Sequence, residues 1–161
     1  MIDTREQIEQ RLSVLIGLDL SAAGRAADML TLQFGPLREM TTKRGTVKRV
    51  GAWALHVQCD WKIERANEIF ADASDFTVSD EGTRATLERI RGLIADGGPL
   101  TVERVVVGDS GNVSISMPRR LCLTIVTDAA PDDEDWRFFE PGSDRKHFVI
   151  QGGKVEPWSL A

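Results

Sequence analysis

His56, Gln58 and Asp60 occupy alternate positions between Trp53 and Ile63, so in an extended chain their side chains leave one side at intervals of about 7 Å. An imidazole, an amide and a carboxylate so placed can line a ligand or partner groove, or simply form a half-solvated sheet face. A metal site needs three or four convergent ligands. The only other histidine is His147, and its distance from His56 is not legible in sequence, so no metal and no cofactor is expected. Cys59 and Cys122 raise thiol catalysis with a histidine base, because a thiolate needs a nearby proton acceptor or cation at neutral pH. Cys59, however, falls on the opposite side from His56, where a small apolar thiol is packing. Cys122 lies on the side of Thr124 and Val126, opposite Leu121, Leu123 and Ile125, and its exposure is left open. No residue is assigned a catalytic role.

The element carrying these residues is a strand. Trp53, Leu55, Val57, Cys59, Trp61 and Ile63 form an apolar odd face against Ala54, His56, Gln58, Asp60 and Lys62, which is the period of a sheet with one buried side. Eleven residues would span roughly 35 Å, beyond ordinary strand length, so a bend or bulge is predicted near Cys59 to Trp61.

Two further pairs are candidates for binding. Arg25 and Asp28 sit just ahead of a predicted strand, in a run of small residues where a charge pair could hold the fold or a ligand. Trp136 and Arg137 follow an acidic run, and an exposed Trp beside an Arg suits a protein-contact hot spot, unless the Trp anchors the sheet to its core. The acidic run is Asp128, Asp132, Asp133, Glu134 and Asp135; a basic counterpart, Arg38, Lys43, Arg44, Lys48 and Arg49, is opposed only by Glu39. Both are expected to be solvated loops that attract one another or present a docking surface.

The chain has 161 residues with 42% apolar and 28% charged side chains, the proportions of one globular domain, so residues 1–161 are taken as a single unit. A net charge of -5 without a basic half argues against nucleic acid as partner. No apolar run approaches membrane-spanning length, and the N-terminus does not read as a secretion signal. With two cysteines, both in predicted strands, a reduced cytoplasmic setting is expected. Glycine-rich phosphate loops, Gly-x-Ser-x-Gly, Cys-x-x-Cys and His-Glu-x-x-His are all missing, so enzymatic activity has little to stand on.

A capping box at Asp3/Glu6 or Thr4/Gln7 opens a helix over about 4–16, stopped by Gly17. Strands follow around residues 29–34 and from Val47 through the 53–63 segment, with a turn at Arg65-Ala66-Asn67 into residues 68–71. Leu87, Ile90, Leu93 and Ile94 mark a second helix ended by Asp96-Gly97-Gly98-Pro99. Strands at 100–107, 113–117, 121–127, 136–139 and 147–150 complete the chain. The order αβββαβββββ predicts an α+β fold, mainly antiparallel sheet with two helices.

Several strings carry a resemblance: Ala22 to Met29 leading to Leu32-Gln-Phe-Gly35, Trp53 to Cys59 with Trp61, and Asp135 to Gly142 with His147-Phe-Val149. On these the chain resembles a family of uncharacterised single-domain proteins common in actinobacteria. That resemblance implies an α+β cytoplasmic protein without assigned activity, similar in turn to small immunity-type proteins of bacterial toxin systems. A proline is usual in that pattern where Asp60 stands, and an Asp-Gly or Asn-Gly turn where Arg119-Arg120 stands. The resulting expectation is a small protein-interaction module of immunity or antitoxin type, with His56, Gln58, Asp60, Arg25, Trp136 and Arg137 as partner- or ligand-binding candidates. The alternative is a small-ligand binder or hydrolase using the polar face of strand 53–63. A homodimer through an exposed edge strand is compatible with either.

Overall fold

The switch from one sheet to another inside the Trp53–Ile63 segment organises the molecule. In the computed structural model, which describes residues 3–128 and 130–160, this segment is two strands, β5 (Trp53–Val57) and β6 (Asp60–Arg65). The break falls at Gln58 and Cys59, whose amides both donate to the Asp135 carbonyl, at 2.8 and 3.0 Å. Two residues against one acceptor is bulge geometry, and it bends the chain sharply enough to leave one sheet and enter the next. The bend predicted near Cys59 to Trp61 is present, at Gln58 and Cys59, but it divides the segment into two strands of different sheets instead of bending one. The segment's alternation survives the break because both sheets face one core: Leu55, Val57, Trp61 and Ile63 are all buried.

The remaining elements fall around this pivot. Before it come α1 (Thr4–Leu12), β1 (Leu20–Ala26), β2 (Met29–Phe34), β3 (Arg38–Thr41) and β4 (Val47–Val50); after it β7 (Glu68–Asp72) and α2 (Asp80–Ala95). The chain closes with β8 (Arg104–Val107), β9 (Val113–Met117), β10 (Leu121–Val126), β11 (Glu134–Phe139), β12 (Phe148–Gln151) and β13 (Lys154–Val155). One sheet runs β1-β2-β5-β11-β12-β13, a second β7-β6-β10-β9-β8, and β3 pairs only with β4. Every pairing is antiparallel. The α+β class, antiparallel sheets and two-helix order expected from sequence are observed. The strands are more numerous than the sequence suggested, because β1, β3 and β13 were not legible and the strand read from Val47 through residue 63 divides into β4, β5 and β6.

Side chains from both sheets and both helices merge into one core that includes Phe34, Trp61, Ile115, Trp136 and Phe148. Helix α1 contributes Ile8 and Leu12 and packs beside β8 and β13, closing one open edge between the sheets. Helix α2 contributes Leu87 and Ile90 and packs beside β1, at the other edge. Asp3 caps α1 by accepting from the Glu6 amide, and Ser79 caps α2 by accepting from the Gly82 amide, satisfying otherwise orphaned donors.

The β9–β10 turn departs from ordinary turn chemistry. Arg119 and Arg120 have φ of 63° and 58°, left-handed backbone that costs a residue with Cβ about 1–2 kcal/mol. Arg119 has a compensating role, donating to the Asp96 carbonyl at 3.0 Å and the Leu93 carbonyl at 3.3 Å, where a cation satisfies the last acceptors of α2. Arg120 makes no such contact among the described residues. Arg120→Gly is therefore expected to raise stability by about 0.5–1 kcal/mol, whereas Arg119→Gly should lower it. Urea titration of the two variants tests the difference in sign, and equal effects would remove the capping role.

Candidate functional site: a polar face of the six-stranded sheet

The register of the central strands builds this site. On the face of the large sheet away from the core, His56 of β5 stands opposite Arg137 of β11 on one side and Thr31 of β2 on the other. Arg137 lies in turn opposite Val149 of β12. His147, two residues before that position, completes the group. Both histidines of the chain thus come to one patch, as sequence spacing could not show.

The patch is tightly interconnected. Arg137 donates through Nε to Glu134 Oε2 at 2.9 Å and through a second nitrogen to Glu134 Oε1, a two-pronged pair of the kind in which Arg is strongest. Gln58 donates to the same Glu134 Oε2 at 2.6 Å. The remaining Arg137 nitrogen lies 2.9 Å from His147 Nδ1. A guanidinium can only donate, so Nδ1 is the acceptor and the His147 ring is neutral with its proton on Nε2. Phe139 stacks on His147 with centroids 4.0 Å apart and meets His56 edge-on at 4.8 Å.

Burial and neighbouring charge hold both histidines neutral. The His56 pKa is pushed down from 6.5 to about 4, first by desolvation and then by the Arg137 charge, with His147 when protonated and Lys48 adding to it and Glu134 opposing. His147 is lowered for the same leading reasons, burial and then Arg137. Arg137 is itself raised, chiefly by its hydrogen bond to Glu134. Arg137→Met is therefore expected to raise the pKa of both histidines, readable from their ring proton shifts in an NMR titration. Unchanged values would break the electrostatic account of the patch.

The candidates read from sequence divide. His56, Gln58 and Arg137 converge; Asp60 does not, because the bulge sends it into the other sheet, where it is exposed and bonds the Trp61 amide. Arg25 is inside β1 and pairs across the fold with Asp80 at the start of α2, at 3.4 Å, rather than with Asp28. Trp136 is not available to a partner. It is fully buried in the core, and its indole N–H donates to the Gly111 carbonyl at 3.0 Å. Glu134, Phe139 and His147 belong to the patch and were missed.

The acidic run also divides. Asp128, Asp132 and Asp133 are exposed, but Glu134 is tied to Arg137 and Gln58, and Asp135 is buried. The Asp135 carboxylate accepts from the Gly153 amide at 2.7 Å, and desolvation pushes its pKa upward. The basic residues instead form a two-stranded arm, β3–β4, hydrogen-bonded to no other strand and braced where Arg38 donates to the Pro141 carbonyl at 2.5 Å. Arg38, Lys43, Arg44, Lys48 and Arg49 are all exposed. Among the described residues none of them has a carboxylate within ion-pair distance.

No family model, no curated protein and no solved structure matches the chain.

The chemistry available to the patch follows from its charges. A histidine with a pKa near 4 is a weak proton acceptor at neutral pH. The Cys59 thiol faces the core and is pushed up to about 12 by burial and then by Asp135, so it carries no reactive thiolate. Cys122 is half-buried. No cluster of His, Cys, Asp and Glu suited to a metal occurs among the described residues, and no helix there is long and apolar enough to cross a membrane. The patch presents hydrogen-bonding groups and the Arg137–Glu134 ion pair at the sheet face.

Proposed function

We propose that the protein is an interaction module that docks an acidic surface of a protein partner with its β3–β4 arm, beside the polar sheet face around His56 and Arg137. The observation that carries this reading is the arm itself: five exposed cations against Glu39 alone, without an internal ion pair among the described residues. The acidic run does not neutralise it. The arm leads into the Trp53 end of β5 and is braced at Pro141 beyond the Phe139 end of β11, whereas Asp128 to Asp133 enter β11 at the end paired with Val57. The two charged regions stand at opposite ends of the central strands.

A protein partner suits this arrangement better than nucleic acid. One short arm on a chain of net charge -5 neutralises few phosphates, and the acidic end would be repelled by a long polyanion. The immunity-type role implied by the family resemblance is one form of such docking, with a toxin as partner. Capture from the native host at low salt, with native mass spectrometry of the eluate, should yield a stoichiometric protein. The double variant Lys43→Glu/Arg44→Glu should then associate about tenfold to a hundredfold more slowly at low salt, with unchanged thermal stability. Absence of a partner, capture indifferent to the charge reversal, or equally tight binding of random-sequence duplex DNA would each overturn this reading.

A further inference from the structure

The end of the same sheet nearest α1 holds a second feature, independent of the arm. Where the start of β5 and the end of β11 approach α1, a cavity of about 130 Å³ opens between Trp53, Phe138 and Phe148 on its apolar side and Arg11, Arg145 and Lys146 at its rim. Trp53 is half-buried and stacks nearly parallel on Phe138, with centroids 4.9 Å apart at 12°. Phe148 is fully buried. These rings give the cavity a rigid, flat aromatic wall.

The rim is cationic for structural reasons. The Arg11 guanidinium lies over the Phe148 ring, 5.2 Å from its centroid, which keeps its charge at the cavity instead of out in solvent. The Lys146 ammonium donates to the Trp158 carbonyl at 3.3 Å, a contact that positions it and leaves its charge unneutralised. Among the described residues none of the three is ion-paired. Glu140 is the one carboxylate in the lining, so three cations face one anion in a chain that is acidic overall.

We propose that this cavity binds a small monocyclic aromatic carboxylate, with the ring against the Trp53 wall and the carboxylate among Arg11, Arg145 and Lys146. Size selects the ring. An apolar cavity of about 150 Å³ holds one benzene, and drug-sized ligands need roughly 300 Å³ or more. Charge selects the acid. A carboxylate accepts from guanidinium and ammonium groups through short, strong hydrogen bonds, and the single Glu140 leaves a surplus suited to a monoanion.

The test is titration of the ¹⁵N-labelled protein with phenylacetate at low salt, following the Trp53 indole resonance assigned with Trp53→Phe. A ligand of this size should saturate with a dissociation constant of about 1 mM. Phenylacetamide, which keeps the ring and loses the charge, and acetate, which keeps the charge and loses the ring, should each bind at least about fivefold more weakly. Arg145→Ala and Lys146→Ala alter exposed side chains and should preserve the amide spectrum while weakening phenylacetate about threefold to tenfold. Glu140→Gln should tighten it. No saturable shift by about 10 mM, equal binding of phenylacetate and phenylacetamide, or indifference to both cation variants would overturn the assignment.

Discussion

Trp136→Ala is expected to lower the unfolding free energy by about 4–5 kcal/mol, near the top of the range for a buried aromatic. Trp136 is fully buried in β11, a strand flanked on both sides by β5 and β12. Its ring meets Phe148 at 6.0 Å, and its indole N–H satisfies the Gly111 carbonyl. Truncation removes the contacts and also leaves that carbonyl unpaired, a further cost of about 1 kcal/mol or more. Trp136→Phe separates the two effects: it keeps most of the ring volume and forfeits the hydrogen bond, so a loss of about 1–2 kcal/mol is expected. Urea or thermal unfolding measures both. A loss below about 1 kcal/mol for Trp136→Ala would mean the sheet closes over the vacancy, contrary to the close packing of interiors.

The same residue shows how far the sequence could be read. Its two candidate roles, a contact hot spot or a core anchor, are not decided by sequence, because alternation gives a face without saying which face is covered; burial decides for the anchor. In β5 and β6 the question was easier: an odd run containing two Trp, Leu, Val and Ile against His, Gln, Asp and Lys leaves only one side to bury. Even there Trp53 is only half-buried, because it lies at the strand's start beside the cavity, whereas Trp61 is 2% exposed. Trp61→Ala is thus the more costly of those two substitutions.

Bulges set the limit of legibility for the candidate site. Glu134 and Arg137 are three residues apart, a spacing that puts side chains on opposite faces of a regular strand. The register shift between Glu134 and Trp136 changes that parity and brings the two together. The bulge at Gln58 and Cys59 acts in reverse, separating Asp60 from His56 and Gln58. Both irregularities meet at one residue, Asp135, whose carbonyl takes the two amides of the β5–β6 break. Neither is marked by a glycine; the length of the 53–63 segment called for a bulge near Cys59 to Trp61, but period-two reasoning carried one face across it and so assembled the wrong triad around a correct histidine. The approach of His147 depends on strand order, which is a long-range property absent from local pattern.

The neutrality of that histidine predicts a pH dependence. A ring whose pKa is near 6.5 when unfolded and about 4 when folded binds its proton more readily in the unfolded chain between those values. Stability tied to His56 is therefore fully present above pH 6.5 and is lost as pH falls toward 4. The displacement corresponds to about 3 kcal/mol for a fully buried group, and the partial exposure of His56 reduces the expected loss to about 1–2 kcal/mol. His147 adds in the same direction. His56→Gln keeps a polar side chain without a titrating ring, so its stability between pH 7 and pH 4 should fall less steeply than that of the parent, while the two differ little above pH 7. Denaturant titrations across that interval decide the point: parallel curves would show that His56 is solvated and protonates as readily in the folded protein as in the unfolded chain. A steeper parent curve would mean that burial, aided by the Arg137 charge, keeps the His56 ring uncharged in the folded protein at neutral pH.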